Sequence, residues 1–481
     1  MAQLRDVIVA ARRSVSSSLR LVPACLVWAG LAAGMAHAQP AAPAPDEAPP
    51  ADTTLPDFWH QDTLTGDWGG VRTTLAKDGV SVTMTYIGDA QGNVSGGIQR
   101  GAVYDGLLQP QVDVDLGKLV GWSGAIAHIS MLQITGPSLT TGYTGNLMNV
   151  SSINAQPGVR LYNTWLQQNA FDGLLSVRVG YMTADTEFFT STTASMFVSS
   201  TFGWPGILAL DLPGGGPAYP LPAPGARVQL NPVPSLTLLA AVFSGDPSGH
   251  AGQTNPATQQ PDGTVISFSG GVFAIAEADY ALNQEKDAKG LPATFKLGAW
   301  LHSGNQFGDQ RFDSNGLSLA NPLSNGTPSN HHGDWGLYGI IDMALYQAPG
   351  EGGGGLSAFL RVVGAPGNQN LITFYADGGL AYKGLIPSRE NDTIGLAVAY
   401  ARIGDQARAL DMDTQQFSNP LNPIRSEEVL MELSYQAQLT PWWVLQPNLQ
   451  YVANPSGGVD NADGTQRRNA VVVALRTVVT F

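Results

Sequence analysis

The sequence predicts an all-β chain, a transmembrane antiparallel β-barrel of about sixteen strands with a short N-terminal helix. Three observations carry that reading. Charged residues are 13% of the 481 and hydrophobic residues 43%, and a soluble domain ordinarily carries ~25% charge. From Val80 onward the dominant hydrophobic signal has period two. The gaps between the alternating segments are long and short in turn, as in barrels whose two rims face different compartments.

The N-terminus indicates export. Arg5, Arg12, Arg13 and Arg20 form a positive n-region, Leu21 to Gly34 an apolar h-region, and Ala36-His37-Ala38 a small-x-small cleavage site. Residues 1–38 therefore read as a signal peptide. Their apolar run is shorter than the ~20 residues needed to span a bilayer. Cys25, the only cysteine, lies inside it. Residues 39–63, rich in Ala and Pro as far as Pro56, read as an extended tether, and 64–481 as one barrel domain. Cleavage changes 24 basic and 38 acidic residues to 20 and 37, a net charge of −17. That surplus disfavours nucleic acid as a partner, because phosphate binding needs clustered Lys and Arg.

Val71 to Lys77 reads as the short helix, ended by Gly79. Candidate strands follow at 80–87, 107–117, 122–134, 159–168, 174–182, 226–231, 235–243 and 268–280. The second half adds 293–302, 335–346, 356–363, 371–382, 393–403, 428–438, 442–452 and 469–481. In one of them Val112, Val114 and Leu116 oppose Gln111, Asp113 and Asp115. In the last, Val471, Val473, Leu475, Thr477, Val479 and Phe481 share a face, with Arg476 opposite. Long gaps fall at 88–106, 135–158, 183–225, 244–267, 303–334, 404–427 and 453–468, with short ones between them. The stretch 364–370 is short where a long loop is due.

An aromatic girdle supports a membrane band. Trp443 and Tyr451 share a face with Leu445 and Leu449 between them. Eight residues at ~3.3 Å span roughly 26 Å of strand, and a tilt near ~40° reduces that to about 20 Å, close to an apolar band of ~25 Å. Gln446, Asn448 and Gln450 on the other face suit a wet lumen.

Leu64-Thr-Gly-Asp-Trp-Gly-Gly-Val-Arg72 with Leu75 and Gly79, the strand Leu174 to Tyr181, Gly203-Trp-Pro205, Gln446-Pro-Asn-Leu-Gln450 and Asn454-Pro455 resemble the OprB-type carbohydrate-selective porins. The likeness runs from about Leu64 to Phe481. It implies a sixteen-stranded outer-membrane barrel of a Gram-negative bacterium that passes glucose-like sugars by facilitated diffusion, without cofactor or energy input. It also implies that the terminal Phe481 serves recognition by the barrel-assembly machinery. A general diffusion porin is the alternative; a barrel hydrolase or surface adhesin stands further off. Whether the barrel is a monomer or a homotrimer stays open.

A sugar-selective lumen needs aromatic plates for ring faces and charged or amide groups for hydroxyls, bound weakly enough for release. Strand parity turns Arg178, Arg227, Glu277, Asp279, Lys296, Trp300, Arg361, Glu432 and Asp113 inward, with Trp165 as a stacking plate. Such groups face inward in any barrel, because Arg or Lys on the lipid face costs ~2–4 kcal/mol at the midplane. The gap 183–225 is long enough to be functional. It either folds inward, bringing Asp185 or Glu187 near the path, or caps the surface. His331 and His332, adjacent and without a spaced partner, make a poor metal site, and no nucleophile elbow or zinc-protease motif is present.

Overall fold

The computed structural model describes residues 57–481 except 250–261, 286–287, 306 and 349–353. The signal peptide, most of the tether and the glycines at 352 and 353 lie outside the described residues.

Sixteen of the strands form one closed antiparallel barrel. They are β1 (Val80–Gly97), β2 (Gly101–Asp115), β3 (Ala125–Thr135), β4 (Gly158–Ala170), β5 (Leu175–Met182), β6 (Ala223–Val233), β7 (Leu236–Ser244), β8 (Val272–Leu282) and β9 (Ala293–His302). After a two-stranded sheet of β10 (Phe307–Asp313) and β11 (Pro328–His331) come β12 (Asp334–Gln347), β13 (Gly355–Gly364), β14 (Ile372–Lys383) and β15 (Thr393–Ile403). The set closes with β16 (Glu427–Thr440), β17 (Trp443–Ala453) and β18 (Arg468–Thr480). β18 returns to β1, with Thr480 opposite Thr85 and Arg468 opposite Gly97. Closure leaves no strand edge unpaired, which the interior of a bilayer requires.

Each candidate strand overlaps an observed one, and three gaps differ. Residues 88–106 are not a long loop. β1 and β2 continue through Gly92, Asn93 and Ser95 to a turn of 98–100, with register shifts at Asn93 and Ser95. Their turn-forming chemistry sits in an irregular ladder instead of ending it. The gap 303–334 holds the β10–β11 sheet. The gap 404–427 holds a helix, here α4 (Asp405–Phe417), after the shorter α1 (Val71–Lys77), α2 (Leu116–Val120) and α3 (Gly206–Asp211).

The motif at 64–72 secures the short-turn rim. Leu64 N donates to Thr480 O at 2.8 Å. Gly69 and Gly70 take φ of +68° and +94°, a conformation glycine adopts without a Cβ penalty. The turn they make lets the Asp67 carboxylate accept from Thr73 N and Thr73 Oγ1, both at 2.9 Å, at the start of α1.

Two faces separate along the strands. Val179, Leu297, Leu301, Leu337, Leu360, Leu396, Leu449, Tyr451 and Val473 are exposed on the outside, an apolar surface suited to lipid. The inside is filled largely by two in-folded segments, 136–157 and 183–222. Phe188, Phe189, Met196, Phe197, Phe202, Trp204, Ile207 and Leu208 of the second are buried against inward residues such as Phe273, Ile275, Trp300, Tyr338, Phe359 and Tyr375. Each such side chain contributes about 1.5–3 kcal/mol by leaving water. The two segments also bind each other. Ser152 N donates to Val198 O at 2.8 Å, and Tyr219 Oη to Ile153 O at 2.7 Å.

Candidate functional site

The strands bring the inward side chains to neighbouring rungs. His128 on β3 pairs directly with Asp113 on β2 and with Trp165 on β4; Arg178 on β5 pairs with Gln167 and with Arg227 on β6. His128 Nδ1 lies 2.7 Å from Asp113 Oδ1. The imidazole stacks on Trp165 at 4.8 Å between centroids and 8° between planes. From the strand on the other side, the Arg178 guanidinium lies 3.9 Å from the centre of the same indole. Gly180 permits this packing, because a Cβ there would sit 2.5 Å from Trp165 Cα.

Arg178 continues the chain of contacts. Its Nε and Nη2 donate to Gln167 Oε1 at 3.0 and 2.8 Å, and Nη1 lies 3.3 Å from Glu187 Oε2. Glu187 is also gripped by Arg227, whose Nη1 donates to Ser176 Oγ at 2.9 Å. Three strands further on, Lys296 of β9 stands 3.2 Å from Glu277 and 3.1 Å from Asp279 of β8 and donates to Thr190 Oγ1 at 3.0 Å. The side chains of Asp113, Glu187, Asp279 and Arg178 remain 37%, 19%, 18% and 15% exposed.

Other inward candidates are engaged by the in-folded segments. Arg361 is 0% exposed. It donates to the carbonyls of Phe189 at 3.0 Å, Gly203 at 2.7 Å and Thr201 at 2.8 Å, and pairs with Asp377. Glu277 accepts from Phe189 N and Tyr338 Oη. Glu432 accepts from Val198 N at 2.6 Å and Ser199 N at 2.9 Å. Trp300 is buried beside Phe189 at 6.2 Å between centroids. Asp185 accepts from Tyr219 N at 2.8 Å, within its own loop.

Gln446, Asn448 and Gln450 do not line open water as their alternation suggested. Gln446 donates to Met196 O and Gln450 to Val150 O, while Asn448 donates to Glu432. The segments they hold come from 250 and 300 residues away, beyond the reach of local patterning. Asp115 caps α2, accepting from Gly117 N and Lys118 N. Phe481 N donates to Met84 O at 3.0 Å beside the barrel seam.

Sequence reasoning did not single out several inward groups. His128 was legible, since Ile126, His128 and Ser130 alternate with Ala127, Ile129 and Met131. Asp342, which accepts from Thr193 N at 2.9 Å and Thr193 Oγ1 at 2.7 Å, alternates in the same way. Arg160 was not legible, because the register shift between Ile129 and Met131 interrupts the parity of β4. Among the described residues no group of His, Cys, Asp or Glu is arranged to hold a metal ion.

The wall thus divides into surfaces that grip the in-folded loops and a half-open stretch from Asp113 to Arg178 and Glu187. Comparison with known proteins agrees with a channel of this kind. Porin B of Pseudomonas aeruginosa is 26% identical over 441 residues, covering 87% of this chain and 91% of that protein. The putative porin QuiX of Acinetobacter baylyi is 25% identical over 426 residues, covering 84% and 92%. The high-pH structure of Pseudomonas putida OprB superposes with a TM-score of 0.78 at 25% identity, over 88% of this chain and 100% of that one. Residues 99–481 match the carbohydrate-selective porin, OprB family, and the chain belongs to that family.

Proposed function

We propose that this barrel lies in the outer membrane and passes small, glucose-like sugars by passive facilitated diffusion. The observation that carries this reading is the half-open wall from Asp113 through His128 and Trp165 to Arg178 and Glu187. It offers hydroxyl-binding groups in mutually paired form. Paired groups keep the lining polar without the deep binding that an isolated buried charge would impose, and conduction needs release as well as entry. Arg178, Glu187, Lys296 and Asp279 are the groups a sugar would meet, with the buried Arg227 holding Glu187 from behind. Glu277, Trp300 and Arg361 act one step behind them by holding the segment that narrows the lumen. Trp165, with a side chain against each face, meets a solute along its edge.

Residues 1–38 direct export through the inner membrane, and Phe481 marks the chain for barrel assembly. The deciding experiment is single-channel conductance of the detergent-purified protein in a planar bilayer, titrated with glucose and then a disaccharide. Saturable block of a steady ion current is the expected result. A current that sugar leaves unchanged would make it a general porin.

A further inference from the structure

Within the stack on β2 to β5, nearly every polar atom is engaged. His128 Nδ1 meets Asp113, and all three guanidinium nitrogens of Arg178 meet Gln167 or Glu187. Besides the second oxygen of the half-exposed Asp113 carboxylate, two atoms stand apart. His128 Nε2 and Trp165 Nε1 have no hydrogen-bond partner among the described residues, and neither is enclosed: Trp300 Nε1 is buried without a partner, and these two are not. Both ring nitrogens therefore reach the water of the lumen.

Their chemistry is complementary. The Asp113 carboxylate only accepts, so Nδ1 of His128 carries the hydrogen that faces it. In the neutral ring the second nitrogen then presents a lone pair. The indole N–H can only donate. One acceptor and one donor thus lie on two rings parallel within 8° and 4.8 Å apart. Both faces of Trp165 are covered, so a solute cannot stack on the indole and can meet it only along that edge.

We propose that His128 Nε2 and Trp165 Nε1 form an acceptor–donor pair that recognises two neighbouring hydroxyls of a sugar in transit, one hydroxyl donating to the imidazole and the next accepting from the indole. The pair deepens the sugar-transport reading and rests on it. Asp113 is a positioning residue that fixes the tautomer. Arg178 is one that holds the indole from its other face. A pair of this kind discriminates by hydroxyl pattern, because a solute lacking one hydroxyl leaves a polar atom of the wall without its partner.

The test is single-channel block by glucose and by its series of monodeoxy derivatives, on wild type, His128→Phe, Trp165→Phe and His128→Gln. Each phenylalanine keeps an aromatic ring in the stack and removes the polar atom. One neutral hydrogen bond corresponds to about a five- to ten-fold loss of blocking affinity. The expected result is that loss for glucose in both phenylalanine variants, with partial rescue in His128→Gln, whose amide can still accept. One particular deoxy sugar should already be weakened on wild type and lose nothing more on His128→Phe, and a neighbouring one should behave so on Trp165→Phe. Equal weakening of every sugar, or none, would overturn the pair while leaving transport intact. Absence of sugar block on wild type would overturn both.

Discussion

Glu187 and Arg227, 40 residues apart in the chain, are joined by two hydrogen bonds, Nη2 to Oε1 at 2.8 Å and Nε to Oε2 at 2.9 Å. This pair ties the first turn of the in-folded segment to β6, and the 3.3 Å approach of Arg178 ties it to β5. One carboxylate between two guanidiniums leaves an excess of positive charge. Beyond β7 the balance reverses, with one ammonium, Lys296, between Glu277 and Asp279. β6 and β8 lie ~10 Å apart at ordinary strand spacing, so the lining has a dipole across it.

Removing Glu187 tests the tie. In Glu187→Ala, Arg227, 2% exposed, keeps a charge with no counter-charge beside it. Breaking such a pair costs about 3 kcal/mol. The expected outcome is a lower unfolding temperature in heat-modifiable electrophoresis and a noisier open-channel current. A quiet channel of unchanged stability would mean that the remaining anchors hold the segment alone.

Arg361 poses a related test with a different chemical answer. Its planar fork reaches three loop carbonyls and Asp377 at once, and an ammonium cannot reproduce that geometry. Arg361→Lys is therefore expected to behave much like Arg361→Ala, both raising conductance as 189–203 loosens. Wild-type conductance in the lysine variant would show that charge alone suffices.

Deleting Leu212 to Pro222 removes a stretch whose Gly215 carbonyl accepts from Trp204 Nε1 at 2.9 Å and whose Tyr219 joins the two in-folded segments. Single-channel conductance should rise. An unchanged value would place this stretch away from the ion path.

The sequence reveals the wall far better than its contents. Alternation along a strand is a local signal, so the inward direction of Arg178, Arg227 and Arg361 follows from their immediate neighbours. Where that signal is interrupted it misleads: the register shift in β4 hid Arg160. What each inward group binds depends on contacts far along the chain. Arg361 meets Phe189 across 172 residues and Glu428 meets Met148 across 280, distances at which no spacing rule operates. The same limit applies to Trp165. Its strand reads with mixed faces, so its inward direction did not follow from its neighbours, and the covering of both faces depends on two further strands.

The long-loop rim supplies a prediction about pH. Arg311 on β10 and Asp413 on α4 are joined at 2.8 and 3.0 Å, linking two segments that the sequence left as plain loop. The hydrogen bonds from Arg311 hold the Asp413 carboxyl below its ordinary value, against the opposing effect of desolvation. A carboxyl depressed in this way contributes stability that is fully present above its unfolded value, ~3.9, and is lost as pH falls through the folded value. The rim is therefore expected to keep this link at neutral and mildly acid pH and to release it only below about pH 4. Asp413→Asn should remove that dependence and leave α4 loosened at every pH. Hydrogen exchange over 405–417, corrected for the intrinsic effect of pH, reads the difference directly. Protection in the wild type that is already lost at pH 6 would assign the link to a group other than Asp413.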